Sequence, residues 1–193
     1  HALDHAIASA RVQGVPLIVL EPLRVGYPWA CDRFHAFVVQ GMAANQQAFA
    51  KAGVTYVPYV ETEAGDGAGL LEGLAAHAKL VITDEQPGFF QPRMVAAAAA
   101  KLDVRLDVVD SCGVLPLRAF DRAFPTAASF RRQMQRYLAS HMFAPAAAIP
   151  LTRLPREVRD GELPPAILRR WKPATAELLT GSAEALATLP IDH

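Results

Sequence analysis

Short apolar runs and helical patterns alternate along the first two thirds of the chain. The runs are rich in Val, Ile and Leu, which is typical of strands buried on both faces of a parallel sheet. They lie at residues 15–20, 54–60, 80–83 and 104–109. Helical patterns fill the intervals, at 2–14, 33–52, 70–78 and 93–101. This alternation predicts an α/β fold, a Rossmann-like doubly wound parallel sheet with helices on both faces.

The order of the elements is unusual at the start of the chain. A doubly wound sheet normally opens on a strand that becomes central, whereas this sequence opens on the helical pattern at 2–14. We therefore expect that the first strand is missing from this sequence or that another segment takes its place. An open gap between two buried strands would leave backbone groups without hydrogen bonds, which is energetically costly.

Acidic and aromatic side chains follow two of the predicted strands. Crossovers in parallel sheets are right-handed, so the carboxyl ends of the strands share one edge, where ligands bind. Asp84 follows the third run and Asp110 ends the fourth. Each carboxylate could bind a ligand or cap its own loop. Phe89 and Phe90 could stack on a planar ligand or pack against their own domain.

The chain changes character after Asp110. A helix capped by Thr126 or Ser129 is expected to reach about Met142. Prolines then become frequent, which predicts an extended linker that wraps a neighbouring surface, followed by a helix at about 175–188. These prolines are Pro145, Pro150, Pro155, Pro164, Pro165 and Pro173. The predicted domains are therefore an α/β domain at 1–143 and a linker with a helix at 144–193.

Composition narrows the class of protein. Of the 193 residues, 52% are hydrophobic and the formal net charge is zero, so a soluble globular core is expected without a general basic field for nucleic acid.

No signal peptide or membrane-length apolar run is recognisable. Two distant cysteines favour a reducing, cytoplasmic setting, and the six histidines show no metal-binding spacing. The EAGDGAG segment at 63–69 lacks phosphate-loop spacing, which favours a simple turn.

An ordered set of segments carries a family resemblance. Arg33, Phe37 and Gly41 are followed by VITDEQPGFFQPR at 81–93, LDVVDSCGVLP at 106–116 and FPTAASFRR at 124–132. This succession resembles the N-terminal domain of DNA photolyases, most closely the class II cyclobutane-pyrimidine-dimer enzymes and related bacterial photolyase-like proteins. The likeness covers most of residues 2–137, and the proline-rich segment is similar to the family's interdomain linker.

The resemblance implies a light-driven DNA-repair lyase. In such flavoproteins FAD lies in a separate C-terminal helical domain and donates an electron to the pyrimidine dimer. The N-terminal α/β domain of many members binds an antenna chromophore of the deazaflavin or folate type. If the resemblance holds, this chain lacks the FAD domain and is inactive alone. Its partners would be its own helical domain and, through the complete protein, DNA.

The resemblance also implies a set of pigment-binding residues at the strand ends. The implied cofactor-binding residues are Glu21, Pro22, Leu23, Asp84, Glu85, Asp110, Ser111 and Cys112. Two positions depart from the family pattern. The family's DAHN reads DSCG here, which places Cys112 where a histidine is usual, and Phe89-Phe90 replaces smaller aliphatic residues.

Other interpretations remain open at this stage. The chain could be a stand-alone nucleotide-binding module of the stress-protein or electron-transfer-flavoprotein type, or a photolyase-derived scaffold without pigment. Three arginines in FPTAASFRRQMQR, namely Arg131, Arg132 and Arg136, could contact DNA phosphates. A solvated helix face, or pairing with acids of the absent domain, is the interpretation that the sequence favours for them.

Overall fold

Helices and strands alternate in the computed structural model, which describes residues 1–142, 146–152 and 154–193. The α/β alternation runs α1 (Ala2–Gln13), β1 (Ile18–Leu23), α2 (Asp32–Ala52), β2 (Thr55–Val60), α3 (Leu70–Ala75), β3 (Val81–Glu85), α4 (Gln91–Ala99) and β4 (Leu106–Asp110). Three further α-helices follow, α5 (Ala127–His141), α6 (Pro165–Arg170) and α7 (Ala183–Leu186). The predicted α/β class is therefore confirmed.

The strands pair in parallel, as the sequence pattern predicts. β1 pairs with β2, and Ile18 is opposite Thr55 while Leu23 is opposite Val60. β3 pairs with β4 in the same manner, from Val81 opposite Leu106 to Glu85 opposite Asp110. Within the described residues these pairs form two separate two-stranded sheets.

The described residues divide into two compact units. Unit 1 contains His1–Ala8 and Ala78–Pro150, and unit 2 contains Ser9–His77 and Leu151–His193. The predicted boundary between residues 143 and 144, together with Pro145, lies outside the described residues. The domains 1–143 and 144–193 thus stay a prediction, whereas residues 151–193 share a unit with 9–77.

Unit 2 has a continuous hydrophobic core. Val39 and Met42 on α2 are fully buried, because the apolar stripe of this long helix covers the β1–β2 pair. The same core contains Leu23 and Val60 from the two strands and Leu186 from α7. Gly53 ends α2 in a left-handed conformation with φ of 71°, as expected for a glycine after a helix.

The C-terminal tail, residues 151–193, wraps unit 2 through backbone hydrogen bonds. Leu17 N donates to Val158 O over 2.9 Å, Asp160 N donates to Gly53 O over 2.8 Å and Ala174 N donates to Pro58 O over 2.7 Å. Prolines favour such an extended path because they cannot continue a helix. The described part of the proline-rich segment therefore packs along unit 2, with the short helix α6 starting at Pro165, and its function as an interdomain linker stays a prediction.

The predicted helix at 175–188 is wrong in detail. A 3-10 turn at Leu178–Thr180 ends at Gly181, whose φ is 63°, and the short helix α7 starts again after Ser182. The Ser182 side chain accepts a hydrogen bond from Ala185 N. Glycine in a left-handed conformation followed by a serine cap therefore divides the segment into two short turns.

His193 lies against Asp32 at the start of α2, with 2.9 Å between His193 Nδ1 and Asp32 Oδ1. This hydrogen bond raises the pKa of His193 above its ordinary value of 6.5. Because the pKa of His193 is higher in the folded state than in the unfolded state, this contact stabilises the fold at pH values below the unfolded-state pKa. The stabilisation is lost as the pH rises through the folded-state pKa. We expect Asp32→Asn to bring the His193 pKa back toward 6.5 in an NMR titration. An unchanged pKa in this variant would contradict the contact.

Within the described ranges, no helix is long and apolar enough to cross a membrane.

Candidate functional site

Five of the implied pigment-binding residues lie together at the carboxyl ends of β3 and β4 in unit 1. Glu85 and Asp110 are opposite each other in the parallel register, because both strands end at the same level. Asp84 precedes Glu85, and Ser111 and Cys112 follow Asp110 directly. Parallel pairing therefore brings these side chains to one edge, as the sequence predicts for ligand-binding residues.

Asp110 organises the loop that follows β4. Its Oδ1 accepts a hydrogen bond from Cys112 N over 3.0 Å, and its Oδ2 accepts one from Leu117 N. A carboxylate that binds backbone amides of its own loop fixes the path of that loop. Ser111 also has a partner within unit 1, since its Oγ accepts a hydrogen bond from Ala2 N over 3.2 Å.

Glu85 is engaged by a cation from the same loop. Arg118 Nε donates to Glu85 Oε1 over 2.8 Å, and this hydrogen bond raises the pKa of Arg118. The thiol of Cys112 donates to the backbone oxygen of Glu85 over 3.1 Å. The Glu85 side chain is 17% exposed, whereas Arg118 is 82% exposed, so the carboxylate lies beneath a solvated guanidinium group.

Asp84 and the two phenylalanines are the exposed part of this edge. Among the described residues, no side chain or backbone group forms a hydrogen bond with the Asp84 carboxylate. Phe89 is 86% exposed, Phe90 is 49% exposed, and Phe89 has a positive φ of 54°. A bulky residue rarely adopts this conformation, so the loop presents an aromatic ring to solvent at a backbone cost.

The three implied residues of unit 2 are placed differently from the expectation. Glu21, Pro22 and Leu23 are predicted to follow the first strand, but all three lie within β1, which continues to Leu23. The strand ends later than predicted because its pairing with β2 extends beyond the apolar run, and Glu21 is opposite Pro58. Leu23 belongs to the buried core, and Pro22 is exposed.

Glu21 is held by two hydrogen bonds within unit 2. Its Oε2 accepts from Tyr56 OH over 2.5 Å and from Asn45 Nδ2 over 2.9 Å. Burial and the bond to Glu21 raise the pKa of Tyr56, so the phenol remains the donor. The contact joins β1, β2 and α2, and supports a structural function for Glu21.

A buried carboxylate that the sequence analysis did not select lies at the end of β2. Glu61 is 3% exposed, and its two oxygens accept hydrogen bonds from Val25 N and Gly67 N, each over 3.2 Å. Gly67 belongs to the EAGDGAG segment, so the hydrogen bond to the buried Glu61 carboxylate holds that loop against the end of β2. An acid that directly follows a strand and precedes a glycine-rich loop is the sequence signal that could have indicated this position.

The loop after Glu61 has a second internal acceptor. Asp66 Oδ2 accepts hydrogen bonds from Thr62 Oγ1 over 2.8 Å and from Glu63 N over 2.9 Å. The backbone oxygen of Asp66 accepts a bond from Trp171 Nε1 over 3.0 Å. The amides of Glu63 and Gly67 are thus directed at the protein's own carboxylates.

A cleft of about 510 Å³ opens beside this loop in unit 2. It is lined by residues that follow β1, residues that follow β2 and a turn of the C-terminal tail, among them Gly26, Thr62, Glu63 and Thr188. This volume falls within the range of about 300–1,000 Å³ that is usual for small-molecule sites. No group of three or more potential metal ligands occurs in the described ranges.

A comparison with curated proteins agrees with the resemblance. No protein-family model matches the chain. Over 143 residues it is 28% identical to a curated protein of Methanothermobacter thermautotrophicus (strain Delta H) named deoxyribodipyrimidine photo-lyase. The chain is similar to a photolyase. The match covers 74% of the chain and 31% of that photolyase, so the chain spans about a third of its relative. The finer assignment to class II stays a prediction.

Proposed function

We propose that the chain is the N-terminal α/β region of a photolyase-like flavoprotein that uses light to repair cyclobutane pyrimidine dimers in DNA. The observation that carries this proposal is the similarity to a photolyase over 74% of the chain. The parallel strand pairs and their helices support it, because they match the fold that the resemblance implies. A cytoplasmic location belongs to the same proposal.

FAD is proposed to bind outside these residues. The EAGDGAG loop is poorly suited to a dinucleotide phosphate, because Glu61 already accepts from Gly67 N and Asp66 from Glu63 N. A phosphate there would replace these bonds and face two carboxylates at close range. The same observation counts against the stand-alone nucleotide-binding alternative. As the resemblance implies, we propose that electron transfer to the dimer belongs to a helical domain outside these residues and that these residues alone are inactive.

Exposed apolar side chains of unit 1 support such a helical domain as the partner. Ile7 is the one hydrophobic side chain among the described residues of unit 1 that is buried. Phe89, Val114 and Ile149 are 86%, 61% and 72% exposed, so a helical domain that packs on unit 1 would find large apolar side chains to cover. Burying such residues against a helical domain would contribute about 25 cal/mol for each Å² of apolar surface.

An antenna chromophore is proposed at the strand ends of unit 1. Of the implied residues, Glu85, Asp110, Ser111 and Cys112 form hydrogen bonds within unit 1, whereas the Asp84 carboxylate is exposed and available to a ligand donor. Phe89 and Phe90 provide ring faces beside it for a planar deazaflavin or folate. The pigment would supply absorbed light energy, and Asp84 would orient it by accepting a hydrogen bond. The pigment-free scaffold remains the second candidate, because the other acids are internally satisfied.

The experiment is a repair assay on the longer protein that includes the helical domain and FAD. We expect blue or near-ultraviolet light to convert dimer-containing oligonucleotides to intact pyrimidines, with the 193-residue chain inactive under the same conditions. An antenna would add a band to the action spectrum, and Asp84→Asn should reduce that band while flavin-driven repair continues. Asp103→Asn is the matched control, since Asp103 is another exposed acid of unit 1.

Absence of light-dependent repair by the flavin-loaded protein would overturn the proposed function. A repair action spectrum with the flavin band alone would support the scaffold version and overturn the antenna.

A further inference from the structure

Positive charge is concentrated in one stretch of a chain that is neutral overall. Residues 111–142 contain five of the 19 Lys and Arg residues but one of the 19 Asp and Glu residues. Their formal charge is therefore +4, within a chain of formal net charge zero. Asp121 is the acid, and it lies outside α5. The helix α5 has basic residues and no acidic residue along its whole length.

Three arginines of α5 form a single exposed face, which we call the arginine face. Successive residues of an α-helix are about 100° apart, which places Arg131, Arg132 and Arg136 within a sector of about 140°. All three are exposed, and none forms an ion pair with a described residue. Arg132 and Arg136 are one turn apart, so their like charges destabilise the isolated helix by about 0.2–0.5 kcal/mol.

The opposite face of α5 is anchored by aromatic rings. Phe120 contacts Phe124, Phe130 and Tyr137 edge to face, with ring centroids 5.0, 5.9 and 5.4 Å apart. Phe130 and Tyr137 belong to α5, whereas Phe120 and Phe124 precede it. Thr126 caps the helix by accepting a hydrogen bond from Ser129 N. The helix is therefore held in place by contacts that leave the arginine face free.

We propose that the arginine face binds the phosphate backbone of duplex DNA without reading its sequence. The guanidinium group forms paired hydrogen bonds with phosphate oxygens, and side chains one turn apart lie about 5–6 Å apart at their Cβ atoms. Gln135 lies between the arginines on the same exposed face and adds an amide donor. Bound phosphates remove the repulsion between Arg132 and Arg136.

DNA fits this face better than an acidic protein does. Stable protein interfaces contain a central apolar or aromatic cluster from which charges are depleted. Within α5 the exposed side chains of this sector besides the arginines are Ala128, Gln135 and Ala139, and the large apolar side chain of Met142, which is 57% exposed, follows at the end of the helix. A face of guanidinium and amide donors without an apolar centre is instead typical of contacts with a phosphate backbone.

The inference deepens the proposed function and rests on it for the choice of DNA as the polyanion. It locates a DNA contact on the α/β region itself, apart from the flavin and the dimer. Binding to undamaged duplex DNA in the dark tests it, so its failure leaves light-driven repair untouched. Failure of repair by the longer protein would likewise leave the binding result standing.

The experiment measures binding of the 193-residue chain to a fluorescent undamaged DNA duplex by anisotropy at low salt. We expect a Kd of about 10–100 µM, within the range of non-specific binding. The triple variant Arg131→Gln, Arg132→Gln, Arg136→Gln should weaken binding at least about tenfold. It should also reduce the slope of log K against log salt by about 0.9 for each phosphate that the variant no longer neutralises.

A charge-matched control separates this face from the general charge of the protein. Arg11, Arg156 and Arg169 are exposed arginines of unit 2, and their triple replacement by Gln removes the same three charges. We expect less than about a twofold change for this control. Triple replacement of the α5 arginines by Lys should retain most of the affinity, because lysine also binds phosphate.

Three outcomes would overturn the proposal. The first is equal weakening by the two Gln triples in chains with matching circular dichroism, and the second is undiminished binding by the α5 triple. The third is tighter binding of poly-glutamate than of the duplex at equal charge concentration, which would identify an acidic polypeptide as the occupant.

Discussion

Removing residues 151–193 is expected to leave residues 9–77 unfolded. The tail contributes seven large buried side chains to unit 2, namely Leu154, Val158, Ile167, Trp171, Leu179, Leu186 and Leu189. At about 1.5–3 kcal/mol for each side chain, their burial amounts to about 10–20 kcal/mol, which is as large as the whole net stability of a typical domain, about 5–15 kcal/mol. The truncation would also expose Val39 and Met42 on α2.

The measurement is hydrogen exchange of the α2 amides, with circular dichroism for total helix content. We expect the α2 amides of the truncated chain to exchange without protection. The control is a chain with a cleavable sequence inserted after Pro150, which should keep protection after cleavage because the tail stays bound. Full protection of α2 in the truncated chain would show that the tail is dispensable.

Replacing Trp171 by Ala is expected to destabilise unit 2 by about 3–5 kcal/mol, the range measured for removing a large buried aromatic side chain. Trp171 is 5% exposed and packs with Tyr59, Leu70 and Ile167. Its indole nitrogen donates a hydrogen bond to Asp66 O, so the substitution also removes a bond that holds the EAGDGAG loop at 63–69. Gly73 lies so close that an added Cβ would be 3.2 Å from the Trp171 ring, which indicates tight packing.

The effect is measured as the change in free energy of unfolding in a denaturant titration. Trp29→Ala is the matched control, because Trp29 is 61% exposed and its loss should change the free energy by less than about 0.5 kcal/mol. Equal destabilisation by the two substitutions would contradict the assignment of Trp171 to the core.

The candidate site was only partly predictable from the sequence. Asp84, Glu85 and Asp110 could be brought to one edge by the rule for parallel strands, and the register places Glu85 opposite Asp110, with Asp84 opposite Val109. Their hydrogen-bond partners could not be predicted, because Arg118 reaches Glu85 across 33 residues. Glu61 was not predicted because its hydrogen bond from Val25 N joins it to the segment after β1, whereas Glu61 itself follows β2.

The position of Glu21 shows why strand ends are difficult to predict. The apolar run stops at Leu20, but β1 continues to Leu23 because each added residue gains a partner on β2. Hydrophobicity marks where a strand is buried, whereas the ladder decides where it ends. The sequence pattern therefore places Glu21, Pro22 and Leu23 in a loop, although all three belong to β1.

The sequence by itself determined the α/β class, the parallel pairing, the end of α2 before Gly53, the Thr126 cap of α5 and the surface path of the proline-rich tail. These features depend on local periodicity, on glycine at positive φ, on side-chain caps and on proline geometry, all of which neighbouring residues define. Only the tertiary structure decided that the tail completes the core of unit 2 and that the carboxylates at the strand ends bind their own loops. Some of these contacts join residues more than 100 positions apart, as in the bond from Trp171 Nε1 to Asp66 O, and no local pattern encodes them.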